Sequence, residues 1–243
     1  MIPEDHPRYR SLKVRERLAA CAKAGIVTLE GLTAHGRGEA FDYLLGERTT
    51  ESALLAERCA AALIRTSKRP VLSVNGNTAA LAAREIRELQ QATSIAVEVN
   101  LFHRTEERVE RIEALLRGAG VEVLTGRAEP LLPLSHARAY CLREGIYAAD
   151  TILVPLEDGD RCEALVGMGK RVIAVDLNPL SRTSRCATLT IVDELTRALP
   201  EIASASRTMG TDEMRHLSSA IDNRRFLREA LAEMNRRLIH ALD

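Results

Sequence analysis

Residues 71–99 read VLSVNGNTAALAAREIRELQQATSIAVEV, and this stretch contains the pattern that decides the fold. Two short apolar runs, at 71–74 and 94–99, enclose an alanine- and leucine-rich stretch at 79–91 that carries its charges on one side. Strands separated by a crossover of helix length run parallel and are joined by a right-handed connection. The stretch therefore predicts a strand, a helix and a second strand parallel to the first.

The same alternation continues toward the C-terminus. Four more strands are predicted at residues 121–124, 151–156, 171–177 and 188–192. A helix is predicted at 106–117, where apolar residues recur at helical spacing: Val109, Ile112, Leu115 and Leu116. Because strands that alternate with helices are typical of α/β proteins, we expect a Rossmann-like, mostly parallel sheet flanked by helices.

The two ends of the chain depart from this alternation. The first 66 residues predict a helix at about 6–24, an irregular glycine-containing segment at 25–46 and a second helix at about 51–65. Residues 204–211 are predicted to form a loop. A C-terminal helix is predicted at about 223–242, with one apolar stripe that fits burial against the core or a partner subunit: Leu227, Leu231, Met234, Leu238 and Leu242.

Length and composition indicate a single α/β domain over residues 1–243, because a chain of this size with 46% hydrophobic residues supports one large core. We expect a helical segment at 1–66 packed on a core at 70–200, with C-terminal helices at 211–243. Thirty-four basic residues balance thirty-four acidic ones, so no global field attracts nucleic acid or a membrane surface. Any anion site must be local.

Cysteine usage and the N-terminus indicate a soluble, cytoplasmic protein. Five cysteines without a Cys-x-x-Cys spacing argue against a disulfide framework and against a thiolate zinc site. The N-terminus has no apolar signal region, and no apolar run approaches the roughly 20 residues that span a bilayer.

Polar motifs follow three of the predicted strands, at the sheet edge where α/β proteins bind ligands. Residues 75–77 (Asn-Gly-Asn) lead into a helix whose free N–H groups suit a phosphate, although Asn77 as a simple N-cap also fits. Residues 157–160 (Glu-Asp-Gly-Asp) suit Mg²⁺ or a helix-capping turn. Residues 176–185 combine an acidic residue, suited to a ribose, with arginines suited to phosphate.

Residues 34–43 (AHGRGEAFDY) form the most unusual segment, because two glycines enclose Arg37. Such glycines let backbone N–H groups turn toward an anion, although a turn with a surface Arg37–Glu39 salt bridge also fits. The segment lacks the third glycine and the preceding strand of a dinucleotide fingerprint, which argues against an NAD-dependent oxidoreductase. Together the motifs predict an anion- and nucleotide-binding α/β enzyme.

Six motifs occur in order along the chain: His6-Pro-Arg-Tyr-x-Ser-Leu, Ala34-His-Gly-Arg-Gly-Glu-Ala-Phe-Asp-Tyr-Leu-x-Gly-Glu, Ser73-Val-Asn-Gly-Asn, Asn100-Leu-Phe-x-Arg-Thr-Glu-Glu-Arg, Val154-Pro-Leu-Glu-Asp-Gly-Asp-Arg and Asp176-Leu-Asn-Pro-Leu-Ser-Arg. Together they resemble the archaeal phosphopantothenate synthetase family, also called 4-phosphopantoate–β-alanine ligases. The similarity runs from about residue 6 to 200, and it thins at 125–147 and after 208.

The resemblance implies a Rossmann-like homodimer that uses ATP to join 4-phosphopantoate to β-alanine. The products would be 4'-phosphopantothenate, AMP and diphosphate, in coenzyme A biosynthesis. The ATP contacts implied by the resemblance are Arg15, Arg37, Asp176, Leu177, Asn178, Arg182, Thr183, Glu194 and Leu195.

Further roles follow from the reaction that the resemblance implies and, for the acid substrate, from the expected geometry of the strand ends. We expect Arg37 with Asp158 and Asp160 to act in catalysis, and the two aspartates to hold Mg²⁺. The phosphopantoate end is assigned to His35, Asn75 and Asn77. The alternative function is a non-catalytic nucleotide-binding sensor of coenzyme A supply, although a sensor needs the acidic turn less than a ligase does.

Overall fold

The computed structural model describes residues 2–6 and 8–242. The N-terminal helices are α1 (Tyr9–Lys23), α2 (Leu29–Leu45) and α3 (Glu51–Arg65). The main sheet and its crossovers comprise β1 (Pro70–Val74), α4 (Gly76–Thr93), β2 (Ala96–Val99), α5 (Glu106–Gly118), β5 (Thr151–Pro155), α6 (Gly159–Gly167), β6 (Arg171–Val175), α7 (Arg182–Cys186) and β7 (Leu189–Ile191). Pro7, inside the first predicted helix, lies outside the described residues.

The remaining elements lie in the β2–β5 connection and at the C-terminus. A small antiparallel pair, β3 (Glu129–Pro130) and β4 (Tyr140–Cys141), encloses a short 3₁₀ helix (Ala137–Ala139), and a π-helical turn (Arg143–Tyr147) follows. The chain ends with α8 (Leu195–Thr208), α9 (Thr211–Ser219) and α10 (Asn223–Ile239).

The five-stranded sheet is entirely parallel and has the order β2-β1-β5-β6-β7. This confirms the α/β prediction and five of the six predicted strands. The sixth, at 121–124, forms a single parallel bridge between Val123 and Val97, with the Leu124 N–H donating to the Val97 carbonyl at 2.8 Å. With this bridge counted, the six segments follow the Rossmann order, and the crossovers change direction between β1 and β5.

Both faces of the sheet are buried, as expected for a parallel sheet covered by crossovers. Alternate residues of each strand enter different clusters: Leu153 of β5 packs with α3, α4 and α8, whereas its neighbours Ile152 and Val154 pack with α6. This period of two follows from strand geometry.

The irregular segment predicted at 25–46 is wrong, because residues 29–45 form α2. Thr28 caps this helix by accepting a hydrogen bond from the Gly31 N–H at 3.1 Å, and Gly46 ends it with φ 86°. A glycine inside a helix costs about 1 kcal/mol relative to alanine. Burial of Leu45 and an ion pair of Asp42 offset that cost, so tertiary packing decides the local conformation.

The loop predicted at 204–211 is also wrong. Helix α8 continues to Thr208, and α9 begins after a break of two residues. Serines favour turns in isolation, but Ser206 is buried and donates to the Ile202 carbonyl at 2.7 Å, so its hydroxyl is satisfied within the helix.

The C-terminal stripe is buried over its first half only. Leu227 and Met234 pack in a third cluster with Leu45 of α2 and Leu177 of the loop after β6, whereas Leu238 and Leu242 are exposed. This cluster fixes α2 and α10 against the end of the sheet. Nowhere in the described chain is there a helix with the length and apolarity to cross a membrane.

A buried charge network joins α2, α3 and α8 at the end of β7. Arg197 Nη2 donates to Asp42 Oδ1 at 2.5 Å and to Asp193 Oδ1 at 2.6 Å. Glu57 of α3 is completely buried beside Asp193. Burial and the neighbouring Asp193 carboxylate raise the pKa of Glu57 from 4.5 to about 10, so Glu57 is neutral at pH 7.

This raised pKa predicts a specific pH dependence of stability. Between pH 4.5 and about 10 the folded protein holds a proton on Glu57 that the unfolded chain releases, so stability falls as pH rises, by at most about 1.4 kcal/mol per pH unit.

Glu57→Gln removes this titration. In urea unfolding at pH 5, 7 and 9, the variant should gain stability relative to the wild type as pH rises, whereas the exposed control Glu110→Gln should follow the wild type. Parallel curves for Glu57→Gln and wild type would contradict the assignment.

Candidate active site

A polar side chain follows every strand of the parallel sheet at its carboxyl edge. In sheet order these residues are Asn100, Asn75, Glu157, Asp176 and Asp193. The crossovers diverge between β1 and β5, which is where ligands bind in open α/β sheets. The candidate site therefore lies around this gap and extends along the edge toward β7.

Asn75 ties the two sides of the gap together. Its Nδ2 donates to the carbonyls of Pro155 at 3.3 Å and Leu156 at 3.0 Å, while its Oδ1 accepts from the Thr78 N–H at 3.0 Å. Asn75, and not Asn77, is therefore the N-cap of α4. Asn77 Nδ2 donates to the Gly31 carbonyl at 2.7 Å and connects α4 to α2. The donors of both predicted substrate-binding asparagines are thus engaged within the protein.

The acidic turn after β5 is held by arginines. The buried carboxylate of Glu157 lies 2.8 Å from Arg138 Nη1, and Asp158 Oδ2 accepts from Arg138 Nε at 3.2 Å. Asp160 Oδ1 lies 2.7 Å from Arg182 Nη1. Over residues 2–6 and 8–242, no group of three or more His, Cys, Asp or Glu side chains is arranged to hold a metal ion.

The loop after β6 is a compact turn built on Asp176. The Asp176 carboxylate accepts from the Asn178 N–H at 2.9 Å and from the Ser181 hydroxyl at 2.5 Å, and Asn178 Oδ1 accepts from the Leu180 N–H at 2.9 Å. Leu177 is buried in the third cluster. These bonds fix the backbone at the strand end before any ligand binds.

The structure brings the acidic turn and the β6 loop together. Thr183 Oγ1 donates to the Glu157 carbonyl at 2.8 Å, and Arg182 pairs with Asp160 and Glu163 of α6. A Cβ at Gly159 would lie 2.6 Å from the Arg182 Cβ, so glycine is what allows α6 and α7 to approach this closely.

Arg15 and Arg37 lie on neighbouring helices but differ in their contacts. Arg15 Nη2 lies 2.9 Å from Glu39 Oε2 and donates to the Tyr43 hydroxyl at 3.3 Å, which docks α1 on α2. Glu39 therefore does not form the salt bridge with Arg37 that the sequence allowed. Arg37 is exposed and forms no hydrogen bond or ion pair with any residue that the structure describes.

His35, one turn before Glu39 on α2, is half-buried. Burial lowers its pKa, and its Nε2 has no hydrogen-bond partner within the described chain. The structure shows no contact of His35 or Arg37 with the acidic turn or the β6 loop.

Glu194 and Leu195 form the start of α8. Glu194 caps the helix by accepting from the Thr196 N–H at 2.8 Å, and burial raises its pKa. Asp193 Oδ1 accepts from the Glu194 N–H at 2.7 Å, and Leu195 is buried. Both side chains are thus directed into protein contacts.

Sequence reasoning missed three arginines near the gap: Arg108, Arg138 and Arg161. Arg161 Nη2 donates to Asn100 Oδ1 at 2.8 Å, and both residues are buried. Arg161 and Asn100 both occur in the motifs quoted above. Their position after a predicted strand could have indicated that they lie at the binding edge of the sheet. Arg138 lies in the stretch where the resemblance thins, and its contacts with the acidic turn depend on folding over long range.

Comparison with known proteins gives one family match and several close relatives. The family model described as "Phosphopantothenate/pantothenate synthetase" matches residues 52–237. A 4-phosphopantoate–β-alanine ligase of Methanospirillum hungatei is 57% identical over 243 residues, covering 100% of both chains.

Two further relatives carry the same name. The protein of Methanosarcina mazei is 53% identical over 98% of this chain and 95% of its own length. That of Thermococcus kodakarensis is 47% identical over 98% of this chain and 93% of its own.

The close approach at Gly159 predicts a local requirement for glycine. Gly159→Ala should destabilise the protein by about 1–3 kcal/mol, because the added Cβ meets the Cβ of Arg182 and neither can rotate away. Gly167→Ala at the other end of α6 is the matched control, since its Cβ would have no atom within 4 Å. Denaturant titration of both variants checks this, and equal stability of the two would show that the contact does not matter.

Proposed function

The chain belongs to the phosphopantothenate/pantothenate synthetase family, and from that premise we propose that it uses ATP to join 4-phosphopantoate to β-alanine. The product is 4'-phosphopantothenate, an intermediate of coenzyme A biosynthesis. The observation that carries this proposal is 57% identity over the full length of a 4-phosphopantoate–β-alanine ligase.

The reaction requires activation, because a carboxylate resists attack by an amine. We propose that the phosphopantoate carboxylate attacks the α-phosphorus of ATP, so that diphosphate leaves and an acyl adenylate forms. The β-alanine amine then attacks the acyl carbon, AMP leaves with the C–O bond electrons, and the nitrogen loses a proton. Positioning of two anions accounts for most of the catalysis in this scheme.

The nucleotide fits the edge between β5 and β7. We propose that Asp176 orients the ribose. Four other residues are proposed to hold the phosphates: Arg15, Arg37, Arg182 and Thr183. The prepared Asp176 turn and the contact between α6 and α7 support this assignment. Arg182 must exchange Asp160 and Glu163 for phosphate, an exchange that its exposure at the surface allows. We propose that the backbone of four further residues lines the nucleotide site: Leu177, Asn178, Glu194 and Leu195.

Mg²⁺ fits the acidic turn if phosphate oxygens and water supply most of its ligands. Asp158 and Asp160 each offer a carboxylate that is about half exposed, and Mg²⁺ commonly binds one or two carboxylates together with substrate phosphates. Such an ion would offset charge on the triphosphate. Asp158 and Asp160 would then hold it while Arg37 contacts the phosphates.

We also propose that the enzyme works in the cytoplasm as a homodimer. All five cysteines are free thiols, which agrees with a reducing compartment. At the end of α10, Leu238, Ile239 and Leu242 are exposed, and such an apolar patch suits a second copy of the chain. Light scattering would report the mass of two chains if this is correct and of one chain if it is not.

A direct assay tests the proposed reaction. Incubation of the protein with MgATP, 4-phosphopantoate and β-alanine should produce AMP and 4'-phosphopantothenate in equal amounts, measured by chromatography. Omission of either substrate is the control. ATP left intact in the full mixture would favour the sensor, whereas ADP would indicate an acyl-phosphate intermediate in place of the adenylate.

Arg37 allows a clean test of a phosphate contact. Arg37→Ala should lower kcat by roughly a hundredfold or more, by analogy with the loss of one transition-state donor. Its thermal midpoint should equal that of the wild type, because exposed Arg37 has no hydrogen bond or ion pair with any described residue. The exposed control Arg117→Ala breaks only its surface ion pair with Glu113 and should keep full activity. Full activity of Arg37→Ala would remove Arg37 from the mechanism.

A further inference from the structure

Three arginines from separate elements gather around residues 100–103, the segment that follows β2. We call Arg108 of α5, Arg138 of the 3₁₀ helix and Arg161 of α6 the arginine cluster. They lie toward the β2 end of the sheet edge, and Arg138 also contacts the acidic turn after β5. The proposed ATP contacts do not use them.

Each member is anchored to residues 100–103. Arg161 Nη2 donates to Asn100 Oδ1 at 2.8 Å, and Arg108 Nη1 donates to the His103 carbonyl at 3.0 Å. The guanidinium carbon of Arg138 lies 5.5 Å from the centroid of the Phe102 ring. The guanidinium groups are therefore held in place before a ligand arrives.

The arginine cluster has unused donors in a buried position. Arg161 is completely buried, yet its Nε and Nη1 have no hydrogen-bond partner among the described residues. Arg138 is 5% exposed, and its Nη1 lies 2.8 Å from the Glu157 carboxylate, so the donors without a partner are those of Arg161. A buried donor without a partner is costly, and a bound anion would relieve that cost.

One side of the arginine cluster is open to exchange. Arg138 is paired with Glu157, whose side chain is 2% exposed, and with Asp158, whose side chain is 47% exposed. An incoming anion can therefore replace Asp158 while Glu157 stays. The positive charge of Arg138 also lowers the pKa of Arg108, after the larger effect of burial, so the two cations are close enough to repel each other.

The N-terminus of α4 adds a further attraction for anions. A Cβ at Gly76, the first residue of this 18-residue helix, would lie 2.9 Å from Arg108 Nη2. Arg108 therefore lies directly against the positive end of the helix dipole. An anion bound here would interact favourably with both the arginines and the helix end.

We propose that the arginine cluster holds the phosphate group of the acid substrate. This inference rests on the proposed function and adds to it the residues that distinguish 4-phosphopantoate from pantoate. Strands lie about 4.8 Å apart, so roughly 14 Å separates the β2 and β6 ends of the edge. A phosphate at the β1–β2 side therefore leaves the carboxylate near β5, facing the nucleotide. Pantoate, which lacks the phosphate, would leave the buried Nε and Nη1 donors of Arg161 without a partner.

The test compares two substrates in the variant Arg138→Gln. The kcat/KM for 4-phosphopantoate should fall roughly tenfold to a hundredfold, as for the loss of a charged hydrogen-bond partner, with a much smaller fall for pantoate. The KM for ATP should stay near that of the wild type. Arg138→Lys, which keeps the charge, should recover part of the loss. The control Arg143→Gln removes an exposed arginine of the same connection and should match the wild type.

Inorganic phosphate provides a second readout that does not depend on pantoate turnover. It should inhibit the wild type competitively against 4-phosphopantoate and inhibit Arg138→Gln more weakly. Equal losses for both acids, or unchanged phosphate inhibition in a folded Arg138→Gln, would overturn the inference. A wild-type protein that forms no 4'-phosphopantothenate would instead overturn the proposed function, so the two failures are distinguishable.

Discussion

The side chain of Asn75 bridges the point at which the sheet opens, and the candidate site depends on this bridge. The crossovers leave β1 and β5 in opposite directions, which opens a gap between the ends of these two strands. Asn75 bonds to the carbonyls of Pro155 and Leu156 and caps α4 at the same time. One amide thus fixes the relative position of the helix start, the acidic turn and both central strands.

Charge pairing along this edge explains how a neutral protein can bind two anions. Two arginines at this edge are matched by carboxylates, in the Arg138–Glu157 and Arg182–Asp160 pairs. The pairs at the surface exchange at low cost because exposed ion pairs contribute at most about 1 kcal/mol. Buried Glu157 stays in place, so the ligand-free and ligand-bound forms can share one framework. Asp158 and Asp160 are then released for Mg²⁺ or for orientation of the substrates.

The sheet could be predicted from the sequence because its strands are short, apolar and separated by helices of regular length. The strand ends followed from the same pattern, which is why Asp176 and the acidic turn were found. Helix α2 was missed because two glycines favour a turn locally, whereas its stability comes from Leu45 and the Asp42–Arg197 pair, far away in sequence. Arg138 was missed because its contacts with the acidic turn likewise join residues that are far apart in sequence. The single-domain organisation and the ligand roles of the site residues stay predictions.

We propose that this edge of the sheet activates the carboxylate of 4-phosphopantoate by transfer of AMP. The most direct measurement uses 4-phosphopantoate labelled with ¹⁸O in its carboxylate, with MgATP and β-alanine, followed by mass spectrometry of the nucleotide product. This activation predicts that one labelled oxygen appears in the phosphate of AMP, because that oxygen bridges acid and nucleotide in the adenylate. Unlabelled AMP, or label in inorganic phosphate together with ADP, would contradict it.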